Sequence, residues 1–198
     1  MDPQLAPLLI LASASPRRSA LLLQIGVPHR IVPSQLEEQR REGESIERCV
    51  VRLAEEKALQ VSGQQTLGSL PVLGADTAVV VDGLMLGKPH DRYEGLDMLA
   101  RLSGREHQVI SAVALSRRGE LSTRLCRSVV RFRALSRTEC EAYWDSGEPR
   151  DKAGGYAIQG RGAVFVEALQ GSYSAVVGLP LFETAALLAA AGVPLWQA

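Results

Sequence analysis

Apolar residues in this chain come in short runs broken by polar or glycine-rich stretches, and the spacing within the runs alternates between strand-like and helix-like. Leu8 to Ala12 reads as a brief strand. Ser13-Ala14-Ser15-Pro16-Arg17-Arg18 then leads into a leucine-rich helix that stops at Gly26, with Ser15 as a natural N-cap and Pro16 at the first helical position. Ile31 and Val32 suggest a second short strand. From about Ser45 to Val61, the residues Ile46, Val50, Leu53, Ala54, Lys57 and Ala58 recur at three- and four-residue spacing and predict a helix. Gly63 to Leu70 is a linker. Pro71 to Val80, rich in β-branched residues, predicts a buried strand that turns at Asp82-Gly83 into a short partner, Leu84 to Leu86. Asp91 with Glu94 forms a capping-box pattern for a helix to about Leu102, and Ser136 with Glu139 forms another for a helix to about Asp145. Between them, Gln108 to Leu115 and Ser128 to Phe132 predict a long hairpin joined around Arg118-Gly119. Ala163 to Val166 reads as a strand and Gly171-Ser172-Tyr173 as a turn. Val176 to Pro180 introduces a last helix to Ala191, which Gly192 stops.

Composition narrows the classes of function. With 198 residues and 46% hydrophobic content, the chain fits one large domain, or two lobes sharing a sheet, with a sizeable core. Twenty-two basic and twenty-two acidic residues cancel, so no global field draws the protein onto long nucleic acid or an anionic membrane. The basic hairpin residues Arg117, Arg118, Arg124, Arg127, Arg131 and Arg133 lack interleaved aromatics, which argues against a nucleic-acid face. No apolar run is long enough for a membrane span, and the N-terminus lacks the basic-then-apolar order of a signal peptide. A cytosolic protein is the simplest expectation. Cys49, Cys126 and Cys140 are odd in number and widely spaced, the pattern of packed free thiols.

The polar residues that interrupt this pattern are the candidates for chemistry. Asp76 sits inside the most apolar strand, where an unpartnered carboxylate is costly. It must reach a cleft, face a cation, or take backbone N–H groups at a strand end. Lys57 falls on or beside a buried helix face, where it either lays its stem over the core with the ammonium outward or serves a site. The first helix start, with Arg17, Arg18 and two serines, suits phosphate. Gln35 to Glu44 carries Glu37, Glu38, Glu42 and Glu44, which read mostly as surface charges, and Lys88 follows a strand end. Asp151 to Gly162 holds four glycines around Gln159, so the backbone there must turn sharply or approach something closely. His29, His90 and His107 sit in no recognisable motif. Carboxylates, cations and a glycine loop with an amide together suit a phosphorylated ligand and a divalent metal, with attack by water rather than a covalent nucleophile.

Read in order, LASASPRR, the EEK of Glu55 to Lys57, VLGADTAVV, GKP, DKAGGYAIQGRGA and GSYSAVVGLPL closely resemble the Maf family of nucleotide pyrophosphatases over roughly residues 7 to 190. The resemblance implies a single domain over residues 1–198 of the α/β class. Its fold would be an elongated twisted mixed sheet flanked by helices, with two lobes around a central cleft, similar to the inosine triphosphate pyrophosphatases. It implies hydrolysis of nucleoside triphosphates to monophosphate and pyrophosphate, with magnesium or manganese as cofactor. Asp76 matches the family's general base and Glu38 its acidic-loop carboxylate, so Glu38 and Asp76 are the expected metal contacts. Ser13, Arg18, Lys57 and Lys88 match the phosphate-handling set. Arg17, Thr77 and Gln159 match the base-selecting positions of the branch that prefers dTTP and UTP. Ser-Ala-Ser stands where relatives often have Ser-Gly-Ser or Ser-Thr-Ser. A homodimer is the assembly the resemblance suggests. The rival expectation from another class is a nucleotide-binding regulator of septum formation without turnover.

Overall fold

In the computed structural model the described residues are 6–64 and 69–197, so residues 65–68 of the expected linker lie outside them. Seven strands pair in the order β2-β1-β3-β5-β6-β7, with β4 added on β3. In chain order the elements are β1 (Leu9–Leu11), α1 (Pro16–Gln24), β2 (His29–Ile31), α2 (Ile46–Ser62), β3 (Val72–Val81) and β4 (Leu84–Leu86). Then follow α3 (Arg92–Leu102), β5 (Glu106–Arg117), β6 (Glu120–Phe132), α4 (Arg137–Asp145), β7 (Val166–Gln170), α5 (Tyr173–Val177) and α6 (Leu181–Ala190). The sheet is mixed: β1 runs parallel to β2 and β3, whereas β3–β4 and β6–β7 are antiparallel. A mixed α/β architecture with helices flanking the sheet is what the family resemblance implies.

The chain divides into two compact units. Among the described residues, the first comprises those within 1–76, 111–126 and 178–198, and the second residues 77–110 and 127–177. In the first, Ile10, Ala12, Val61 and Val72 form one buried cluster, covered by Val32 and Leu70. Its α2 buries Cys49, Val50, Leu53, Ala54, Lys57, Ala58 and Val61, the face that the helical spacing predicts. The second unit is built on aromatics. Phe132 is fully buried and packs edge-on against His107 and Tyr156, with ring centroids 4.9 and 4.8 Å away. All three cysteines are buried.

Both hairpin turns follow from their dipeptides. Asp82-Gly83 has φ of 52° and 73°, and Arg118-Gly119 has 51° and 84°, the paired positive angles of a two-residue turn that matches strand twist. The helix starts are capped as expected at Ser15, Asp91 and Ser136, and Ser45 caps α2. At α3 the reciprocal half of the box differs. The Glu94 carboxylate accepts from the His90 N–H at 2.7 Å rather than from Asp91, reaching one residue farther back. The full box is present at Ser136 and Glu139.

Two expectations are corrected toward the C-terminus. The strand anticipated at Ala163 to Val166 begins instead at Val166, because residues 161–165 form a 3₁₀ turn. The N–H groups of Arg161 and Gly162 donate to the Glu148 carboxylate and that of Ala163 to the Gly160 carbonyl, so none of the three joins a ladder. The turn expected at Gly171 to Tyr173 is completed by the short α5, which ends before Gly178, where φ is 132°. Among the described residues no helix is long and apolar enough to cross a membrane.

Candidate active site

In the first unit, β1 ends at Leu11 and delivers Ser13 to the loop before α1. Ser13 is buried, and its Oγ accepts from the Ser15 N–H at 3.2 Å and from Arg18 Nη1 at 3.1 Å. Arg18 Nε donates to the Gly178 carbonyl at 2.9 Å. The guanidinium is thereby fixed from two sides before any ligand arrives. Burial lowers its pKa, while the nearby charges of Asp76 and Glu38 act in the opposite direction. Arg17 is half-buried beside it.

Asp76 and Lys57 meet because β3 and α2 approach unusually closely. A β-carbon at Gly74 would lie 2.2 Å from the Ala54 carbonyl oxygen and 2.7 Å from the Ala58 nitrogen, so only glycine permits the contact. Lys57 and Asp76 are 4% and 5% exposed, too little for a snorkelling lysine. Lys57 Nζ donates to Asp76 Oδ1 at 2.7 Å and lies 2.6 Å from Glu38 Oε1. Asp76 therefore faces a cation rather than a set of strand-end N–H groups. Burial raises its pKa, and Lys57 and Arg18 oppose that rise without cancelling it.

Glu38 is brought to Lys57 by a loop pinned at two points. Gln60 on α2 exchanges hydrogen bonds with the Gln35 backbone at 2.7 and 3.2 Å. Farther along, Arg52 grips Glu44 through Nε and Nη2 at 2.7 and 2.8 Å, takes the Gln39 carbonyl at 3.0 Å, and pairs with Glu56 at 3.0 Å. Glu44 is thus no surface charge: its side chain is 11% exposed, and the Arg52 hydrogen bonds bring its pKa down to about 2. One helix accordingly presents Lys57 on its buried face and Arg52 on the flank that holds the acidic loop.

The remaining sequence-derived candidates belong to the second unit. Thr77, the residue after Asp76 in β3, is half-buried, while Lys88 and Gln159 are exposed. The Gly87 carbonyl beside Lys88 accepts from the Gly154 N–H at 2.9 Å, joining this loop to the glycine-rich stretch. Two glycines of that stretch make room for Glu148 and its partner Tyr143. A β-carbon at Gly160 would lie 2.5 Å from Glu148 Oε2, and one at Gly162 would lie 2.7 Å from the Tyr143 hydroxyl.

The structure thus gathers Ser13, Arg18, Glu38, Lys57 and Asp76 into one cluster of alternating charge within the first unit. Arg52, Glu44 and Gly178 support it, and none is marked by sequence spacing. Only the Gly178-Leu179-Pro180 motif drew attention to its own segment. As a metal site the cluster offers two hard carboxylate oxygens, and among the described residues no group of three or more His, Cys, Asp or Glu side chains gathers around one point. Such a pair fits a magnesium-like cation that keeps waters and shares phosphate oxygens, not one enclosed by protein alone.

Comparison with known proteins places the chain in a family. The model of the family described as Maf-like protein matches residues 8–191. A dTTP/UTP pyrophosphatase of Saccharophagus degradans is 52% identical over 96% of this chain and 91% of its own. One from Alkalilimnicola ehrlichii is 54% identical over 95% of each. One from Bordetella parapertussis is 50% identical over 94% of each. The solved structure of the Staphylococcus aureus Ham1 protein aligns over 80% of this chain and 79% of its own at 13% identity and a TM-score of 0.37, too slight a likeness to bear on function. With a family match over nearly its whole length and relatives half identical to it, this chain belongs to the family of Maf-like proteins.

Proposed function

We propose that this protein hydrolyses nucleoside triphosphates, preferentially dTTP and UTP, to the monophosphate and pyrophosphate. The observation that supports this most is the buried Lys57–Asp76 pair, with Glu38 on the same ammonium, in a chain half identical to relatives bearing that activity in their names. A raised pKa makes a carboxylate a better proton acceptor, so Asp76 is assigned as the general base for water attacking the α-phosphorus. Lys57 engages Oδ1, and Oδ2 is the atom assigned to the water proton. Glu38 and Asp76 are the residues that would hold a magnesium or manganese ion, whose charge, when bound, offsets that of the phosphates. Arg18, oriented by Ser13 and the Gly178 carbonyl, binds a phosphate oxygen, and Lys88 supplies a further cation. Base selection is assigned to Arg17, Thr77 and Gln159. The Gln159 amide donates and accepts, which suits the carbonyl and N3–H edge shared by thymine and uracil.

The test is pyrophosphate release from dTTP, UTP and 7-methyl-GTP with and without added magnesium or manganese. Metal-dependent release, fastest with dTTP and UTP, is expected. Nucleotide binding without release would favour the regulator, and preference for 7-methyl-GTP would remove Arg17, Thr77 and Gln159 from base selection.

A further inference from the structure

The loop that carries Gln159 is closed around one carboxylate. Glu148 Oε1 accepts from the Gly162 N–H at 3.0 Å and from the Tyr143 hydroxyl at 2.8 Å, while Oε2 accepts from the Arg161 N–H at 3.0 Å. The same Tyr143 oxygen accepts from the Ala157 N–H at 3.0 Å. Both ends of the segment 157–162 are thus tied to Glu148, directly or through Tyr143, and exposed Gln159 stands between the ties. Tyr143 is itself immobilised, 5% exposed and edge-on to Phe165 with centroids 4.9 Å apart. Glu148 is steadied from behind, where Lys152 Nζ donates to its backbone carbonyl at 2.7 Å. The glycines fit this closure: Gly160, at φ 86° and ψ −146°, adopts a backbone that other residues avoid, and its missing β-carbon leaves room for Oε2. Burial works against the charged form of Glu148, yet the two backbone N–H groups and the Tyr143 hydroxyl hold its pKa below the ordinary value.

We propose that Glu148 is a positioning residue for base selection, fixing the Gln159 amide through the Arg161, Gly162 and Tyr143 hydrogen bonds. The proposal rests on the assignment of Gln159 made above. A glutamine at 148 keeps the shape but turns one acceptor into a donor, so one backbone N–H loses its partner and the loop loosens. Loss of aim at the base, not at the phosphates, is the expected defect.

The discriminating pair is dTTP and dCTP, which carry the same phosphates and ring size but reversed donor and acceptor roles at N3 and C4. In steady-state assays with metal, Glu148→Gln is expected to lower the dTTP-to-dCTP ratio of kcat/KM about tenfold, mainly through the KM for dTTP. Gln159→Ala should lower it at least as much, and the double variant no further, because the two residues act as one unit. Tyr143→Phe, which keeps the packed ring, should produce a smaller loss in the same direction and decides the matter if Glu148→Gln does not fold. Equal losses on both substrates, alongside a changed ratio in Gln159→Ala, would overturn the role of Glu148 alone. An unchanged ratio in Gln159→Ala would remove Gln159 from base selection and the proposal with it.

Discussion

Asp76 and Glu148 are two carboxylates with opposite surroundings. Asp76 faces side-chain cations, Lys57 at 2.7 Å and Arg18 nearby, and burial leaves its pKa raised. Glu148 faces backbone N–H groups of Arg161 and Gly162 together with a phenol, and its pKa is lowered. A lysine side chain can turn toward a phosphate when one arrives, freeing the carboxylate for a proton. Backbone donors locked in a glycine loop have no such alternative. The first arrangement suits proton transfer, and the second suits holding a shape.

The largest effect expected from that contrast is at Asp76. Asp76→Asn should reduce turnover by about 10² to 10⁴-fold with the fold retained, because it removes the proton acceptor while Lys57 keeps the Glu38 carboxylate as a partner. Near-normal pyrophosphate release from a folded Asp76→Asn protein would take Asp76 out of the mechanism.

Next in size is Lys57→Met. With the ammonium held between Asp76 and Glu38, this change removes one side of a buried pair. Breaking a buried pair from one side costs about 3 to 5 kcal/mol, and denaturant melts near neutral pH should show it. The deficit should be pH-dependent. In the variant the folded-state pKa of Asp76 rises further above the unfolded value near 3.8, so the folded state binds more protons in that window. Stability should therefore fall as pH rises from about 4, and a Lys57→Met melt insensitive to pH would show that Asp76 has found another partner.

The smallest effect is expected at Glu44→Gln, which weakens the Arg52 grip on the acidic loop without touching Glu38. Global melting should hardly move, whereas amide exchange in residues 35–44 should quicken, and turnover should fall less than tenfold, about. In the wild type the same loosening should appear on acidification, because a carboxyl held at about 2 contributes order above its ordinary value near 4.5 and loses it as pH falls toward 2. Unchanged exchange in the variant would show that Gln60 alone holds the loop.

How far the sequence reached depended on whether a signal was local. Caps at Ser15 and Ser136, the two-residue turns and the buried face of α2 depend on neighbours a few positions apart, and all were legible. Asp76 stood out because a carboxylate in an apolar strand requires a partner. That the partner is Lys57, 19 residues earlier, depends on the helix–strand contact at Gly74, which no spacing encodes. Glu44 looked like any loop glutamate until Arg52 was seen against it. The strand at 163–166 was misplaced for a similar reason: Glu148 holds the Arg161 and Gly162 N–H groups just before it, from 13 and 14 residues away, and the chain turns there.

The narrow passage between β3 and α2 at Gly74 also has a meaning in sequence space. Every amino acid one base change away from a glycine codon carries a β-carbon, and a β-carbon there would sit 2.2 Å from the Ala54 oxygen. Position 74 therefore has no neutral neighbour. Drift that can exchange Leu for Met elsewhere in this core halts here, and the separation of Asp76 and Lys57 is inherited as a fixed length.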